Sequence, residues 1–174
     1  RNQVRFDEAT YMSTQDGLTL LGANCPAAYA GELVGFWAIE CADLVEIPDG
    51  ADQSVASELY REYALDYLGE NADELPAVIA ARLGRGLSVW RVDQMAEFNE
   101  TEGRPAWGSW LAAAQFWLLV PLAVIGFARW RSSQPRWPLL VAIGFVVMLM
   151  AALYGIPRFR VPAEVALVIA AAVG

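Results

Sequence analysis

The chain has 174 residues, 56% of them hydrophobic, with seven tryptophans, a mean hydropathy of +0.33 and a formal net charge of −8. That is too apolar for an ordinary soluble domain of this length, and every cation is an arginine, which excludes Schiff-base lysines, His-based triads and His-ligated metals within this stretch. Residues 1–107 carry 19 acidic groups against 7 arginines, whereas residues 108–174 carry Glu164 alone against 5 arginines.

The acidic first part argues against a nucleic-acid partner, which needs a basic face to neutralise phosphates. The opening "RNQVRFDEATYMS" has no apolar stretch of the kind a signal peptide needs. Since the chain begins at Arg1 and stops at Gly174 inside an apolar run, the expectation is a piece of a longer polytopic protein. "ATYMSTQDGLTLLGAN" predicts two short extended segments around a tight turn at Gln15-Asp16-Gly17, because Asp-Gly flanked by β-formers is a strong turn signal.

Cys25 and Cys41 are the two cysteines, and a bridge between them would close the Gly- and Ala-rich "CPAAYAGELVGFWAIEC". A loop of that size gains roughly 3 kcal/mol from cross-linking in the entropic model. The alternative is two buried free thiols. Next, "DQSVASELYREYALDYLGENADELP" predicts a helix from about Ser54 to Leu68, capped by Asp52 or Ser54 and ended by Gly69 and Asn71. "ELPAVIAARLGRGLSVWRV", with Asp73 as its N-cap, predicts a helix lying in the membrane interface with Arg82 and Arg85 snorkelling to head groups. An ordinary helix covering a sheet is the other reading. The acidic clusters Asp7-Glu8, Asp73-Glu74 and Glu97/Glu100/Glu102 read as solvated faces or helix caps, and Asn99 starts an N-glycosylation triplet.

The membrane part follows. Pro105–Ala128 and Trp137–Pro157 contain no charge, and each meets the ~20 residues needed to cross about 30 Å of hydrocarbon. Trp107, Trp110, Trp130 and Trp137 sit at their ends as an aromatic belt would, and Pro121 predicts a kink. The link "RWRSSQPR", with Arg129, Arg131 and Arg136, belongs on the cytoplasmic side.

The expected plan is an α-helical polytopic membrane fragment with a small α+β extracytoplasmic domain. It comprises an external segment 1–107, a span 108–128, a cytoplasmic loop 129–136, a span 137–156, an external loop 157–164 and the start of a further span at 165–174. The expected location is the plasma (inner) membrane, multi-pass, with residues 1–107 outside. This leaves Arg158 and Arg160, bracketed by Pro157 and Pro162, on a side where positive charge has no topological reason to be. An arginine fork suits bidentate phosphate binding. Snorkelling to ordinary head groups, or pairing with Glu164, is the alternative.

In order along the chain, "STQDGLTLLGANC", "GFWAIEC", "ADELPAVIAARLGRGLSVW" and "YGIPRFRVPAEVALVIAAA" resemble the C-terminal region of bacterial GT-C superfamily membrane glycosyltransferases. The likeness is to the family 39 protein mannosyltransferase and aminoarabinose transferase relatives, especially actinobacterial members. It implies a multi-spanning enzyme of the cell envelope that takes a sugar from a polyprenyl-phosphate donor at the outer leaflet. The sugar passes to a protein, lipid or glycan acceptor, and the acidic catalytic residue belongs to an external loop outside this stretch. Accordingly no catalytic residue, metal or cofactor is nominated here. Arg158 and Arg160 would hold the lipid phosphate, with Tyr154 and Glu164 in support. The competing classes are a non-enzymatic polytopic protein with an external binding domain, and a transporter or flippase fragment.

Overall fold

The computed structural model describes residues 13–130 and 135–173. Among the described residues, eight α-helices and three 3₁₀ turns make up the regular structure and no strand occurs. Contacts divide the chain into two compact units, with the division after Arg82.

In the first unit, α1 (Asp16–Ala23) forms where a turn between strands was expected. Asp16 sits in its first turn, where a carboxylate complements the helix dipole. Gly17 is there for proximity: a Cβ would lie 1.8 Å from the Ser57 carbonyl oxygen. The Asp-Gly pair thus serves a close helix–helix approach rather than a hairpin. The part of the expected hairpin before Ser13 lies outside the described residues.

Short helix α2 (Pro26–Tyr29) and 3₁₀ turns at Gly31–Leu33 and Ile39–Leu44 follow. Cys25 and Cys41 are joined, with Cα atoms 6.3 Å apart, and both are buried beside Leu21, Ala28 and Ala64. The bond points to an oxidising, extracytoplasmic compartment. Helix α3 (Gln53–Glu70) starts at Asp52, whose carboxylate accepts from the Ser54 and Val55 amides, and ends at Asn71. Its Tyr67 meets Tyr29 edge-on at 5.2 Å, which closes the core over the disulfide loop.

Helix α4 (Leu75–Gly86) runs across the division between the units. Its arginines do not snorkel: Arg82 and Arg85 are 1% and 0% exposed. Arg82 donates to the Ala23 carbonyl (2.6 Å) and to Asn24 Oδ1 (3.1 Å), and Tyr29 donates to the same amide oxygen. These partners offset the desolvation that otherwise makes a buried guanidinium costly. An interfacial helix with outward arginines is therefore replaced by one whose cations face protein.

The second unit contains α5 (Val92–Thr101), α6 (Ala106–Arg129), α7 (Trp137–Ala152), a 3₁₀ turn at Pro157–Arg160, and α8 (Val161–Val173). Helix α6 is continuous through Pro121 and packs closely on α8; a Cβ on Gly126 would stand 2.0 Å from the Ala170 carbonyl oxygen. Small residues at such a crossing are what helix association in lipid requires. Large apolar side chains of α6 face outward, Leu118 among them at 70% exposed, as do Trp107 and Trp110 at its start.

The polytopic α+β plan is corrected on both counts. One helix among the described residues, Ala106–Arg129, is long and apolar enough to cross a membrane. The second apolar run yields the 16 residues of α7, about 24 Å of helix against a hydrocarbon core of about 30 Å. It stops early because Leu153 leaves the helical region and Ile156, preceding a proline, is held extended.

Candidate functional site

The stretch from Tyr154 to Glu164 passes from the end of α7 into α8. Ile156 is extended (φ −127, ψ 142), and Pro157 opens the 3₁₀ turn that runs straight into α8. On an extended chain, Arg158 and Arg160 would share a face. At three residues per turn they diverge by about 120°. That geometry separates the two arginines the sequence presents as a pair.

Arg160 turns inward and is 2% exposed. Its Nε donates to Glu164 Oε1 at 2.5 Å, Nη1 to the Ser88 hydroxyl at 2.6 Å, and Nη2 to the Ala112 carbonyl at 3.3 Å. The guanidinium lies 4.3 Å from the Phe116 ring centroid. All three nitrogens are thus committed, and the residue links α8 to α6 and to the segment after α4.

Ser88 is held for this purpose in a left-handed conformation (φ +54), unusual for a residue with a Cβ. Its carbonyl also accepts from the Trp117 indole at 3.2 Å. Close by, burial and the neighbouring Arg91 charge lower the Arg85 pKa to about 10, partly countered by Asp93. Arg85 donates to Gln94 Oε1 at 2.6 Å and stacks 4.9 Å from the Trp90 centroid.

Arg158 turns outward, with its side chain 48% exposed, and its Nη2 donates to Glu102 Oε1 at 2.7 Å. The other oxygen of Glu102 lies 3.8 Å from Arg104 Nη2. The cation that shares a partner with Arg158 is therefore Arg104, from the turn between α5 and α6. A cavity of about 410 Å³ opens here, with Arg104, Arg158, Asn99 and Ser109 among its polar walls and Met95, Phe98, Pro105 and Ile156 among its apolar ones. Asn99 donates to Ser109 Oγ at 2.9 Å, so the amide of the glycosylation triplet is engaged within the protein.

Ala112, Val161 and Glu164 also border an apolar groove of about 320 Å³ between α6 and α8, walled by Phe116, Leu119, Val165 and Ile169. Of the expected set, Arg158, Arg160 and Glu164 all line the larger cavity, but Arg160 pairs with Glu164 whereas Arg158 pairs with Glu102. Tyr154 packs on Phe159 at 5.1 Å.

Glu102, Arg104 and Ser88 escape a sequence reading. Glu102 sits in an acidic run that resembles a solvated face, and its partner Arg158 is 56 positions away. Among the described residues no three acidic, cysteine or histidine side chains gather as a metal site. The arrangement offers paired cations, hydroxyl and amide groups and an apolar wall, at the start of a helix long and apolar enough to cross a membrane. No family model, no curated protein and no solved structure matches the chain.

Proposed function

We propose that this chain is the C-terminal part of an integral membrane glycosyltransferase that moves a sugar from a polyprenyl-phosphate donor to an extracytoplasmic protein, lipid or glycan. Arg158, with Arg104 beside it, contacts the donor phosphate, and Arg160 is a positioning residue. The observation that carries this reading is the cavity whose wall includes the half-exposed Arg104 and Arg158 together with the buried Arg160, at the N-terminal end of the helix long enough to span a membrane. The groove between α6 and α8 shares residues with that cavity and suits the donor's prenyl chain. The sequence resemblance points to the same substrate class.

In the transfer, the bond from the sugar's anomeric carbon to the phosphate oxygen breaks as a bond to the acceptor oxygen forms. The acceptor's proton goes to a base outside these residues. Negative charge grows on the leaving prenyl phosphate, and fixed cations aimed at that charge lower the barrier. Arginine supplies a planar fork there that lysine cannot reproduce.

The test is sugar transfer by the full-length protein in membranes from defined polyprenyl-phosphate sugars, with donor titrated at saturating acceptor. Arg158→Lys should weaken apparent donor affinity by about 10- to 150-fold, the equivalent of one charge-assisted contact. Transfer from none of the donors, or unchanged donor affinity in that variant, refutes the proposal.

A further inference from the structure

The two cations of the proposed phosphate site are already occupied by a residue of the chain itself. Glu102 Oε1 accepts from Arg158 Nη2 at 2.7 Å, while Oε2 faces Arg104 Nη2 at 3.8 Å. One carboxylate thus spans the two guanidinium groups as a bridging phosphate would. Glu102 is not locked in place: its side chain is 30% exposed and both arginines are about half exposed. Pairs of this kind are weak in water, so an incoming anion can break them.

We infer that Glu102 is a built-in competitor for the anion site, and that it favours release of the transfer product over retention. This rests on the reading of Arg104 and Arg158 as the phosphate contacts. A sugar-linked donor is a phosphodiester with one negative charge. The prenyl phosphate left after transfer is a monoester that approaches two charges near neutral pH, since its second pKa is about 6. A carboxylate beside the bound phosphate repels a dianion about twice as strongly as a monoanion. Glu102 therefore penalises the product more than the substrate, which prevents the arginines from trapping it. Glu164 does not serve this role, because it is held by the buried Arg160.

The experiment measures binding of two probes to the full-length protein in phosphatidylcholine nanodiscs: farnesyl phosphate, a monoester, and farnesyl methyl phosphate, a diester. Glu102→Gln and Glu102→Ala are compared with the wild type, and Arg158→Ala and Arg104→Ala are tested in each background. Tryptophan fluorescence monitors folding. Removing the carboxylate should tighten monoester binding by about twofold to fivefold and diester binding by less, the range expected of a partly exposed pair.

Arginine removal should abolish that gain. If both Glu102 variants bind the monoester no tighter than wild type, the competitor role is overturned; if they gain equally for both probes, its preference for product release is overturned; in either case an effect of Arg158→Ala leaves the phosphate site standing. If neither arginine variant changes the binding of either probe, the phosphate site and the inference both fall.

Discussion

Replacing Arg160 by lysine tests whether the inner arginine is a positioning residue or a ligand contact. A lysine ammonium has one nitrogen, whereas Arg160 delivers Nε to Glu164 and Nη1 to Ser88 in different directions. Lysine can keep one of these contacts, so about 1.5–3 kcal/mol is lost with the other. The guanidinium over Phe116 at 4.3 Å adds about 0.5–2 kcal/mol that an ammonium recovers poorly. The contacts to the Gly86 and Ala112 carbonyls, at 3.4 and 3.3 Å, are long and contribute little.

Arg160→Lys should therefore destabilise the second unit by about 2–5 kcal/mol. Arg160→Met should cost at least as much, because it leaves Glu164 without its cation, and adding Glu164→Leu should recover part of the loss. Equilibrium unfolding in mixed micelles, followed by tryptophan fluorescence, measures all three. An Arg160→Lys variant as stable as the wild type, yet losing donor affinity as Arg158→Lys does, would show that Arg160 reaches the ligand and refute the positioning role.

Gly126→Ala places a Cβ against the Ala170 carbonyl and should cost about 1–3 kcal/mol of α6–α8 packing, while Gly144→Ala, in open space, should be neutral or slightly stabilising. Equal unfolding midpoints for the two variants would contradict the close crossing. Replacing Cys25 and Cys41 together by alanine should cost roughly 3 kcal/mol in the first unit, and alkylation of the native protein without reductant should label neither cysteine. Two labelled thiols would refute the bond.

Local features carried much of the outline. The α3 boundaries follow from a cap and a stop that act within a few residues: Asp52 binds the first free amides, and Asn71 ends the helix. The long apolar helix α6 is equally local, a matter of uninterrupted hydrophobic length. The disulfide needed the extra premise of an oxidising compartment, and with two cysteines one pairing was available.

Tertiary structure decided the rest, because the deciding partners are distant in sequence or the signal is ambiguous. Asp-Gly at 16–17 satisfies a hairpin turn as well as a helix start, and only the closeness of Ser57 selects the helix. Arg82 could have snorkelled; the Ala23 carbonyl and the Asn24 amide, nearly sixty positions earlier, draw it inward. Arg158 and Arg160 look equivalent in "PRFR", yet the 3₁₀ turn sends one to Glu102 at the protein surface and the other to Ser88 and Glu164 in the interior. Composition placed cations beside an apolar helix long enough to cross a membrane. The backbone rotation between Arg158 and Arg160 determined which of them is half-exposed and which is buried.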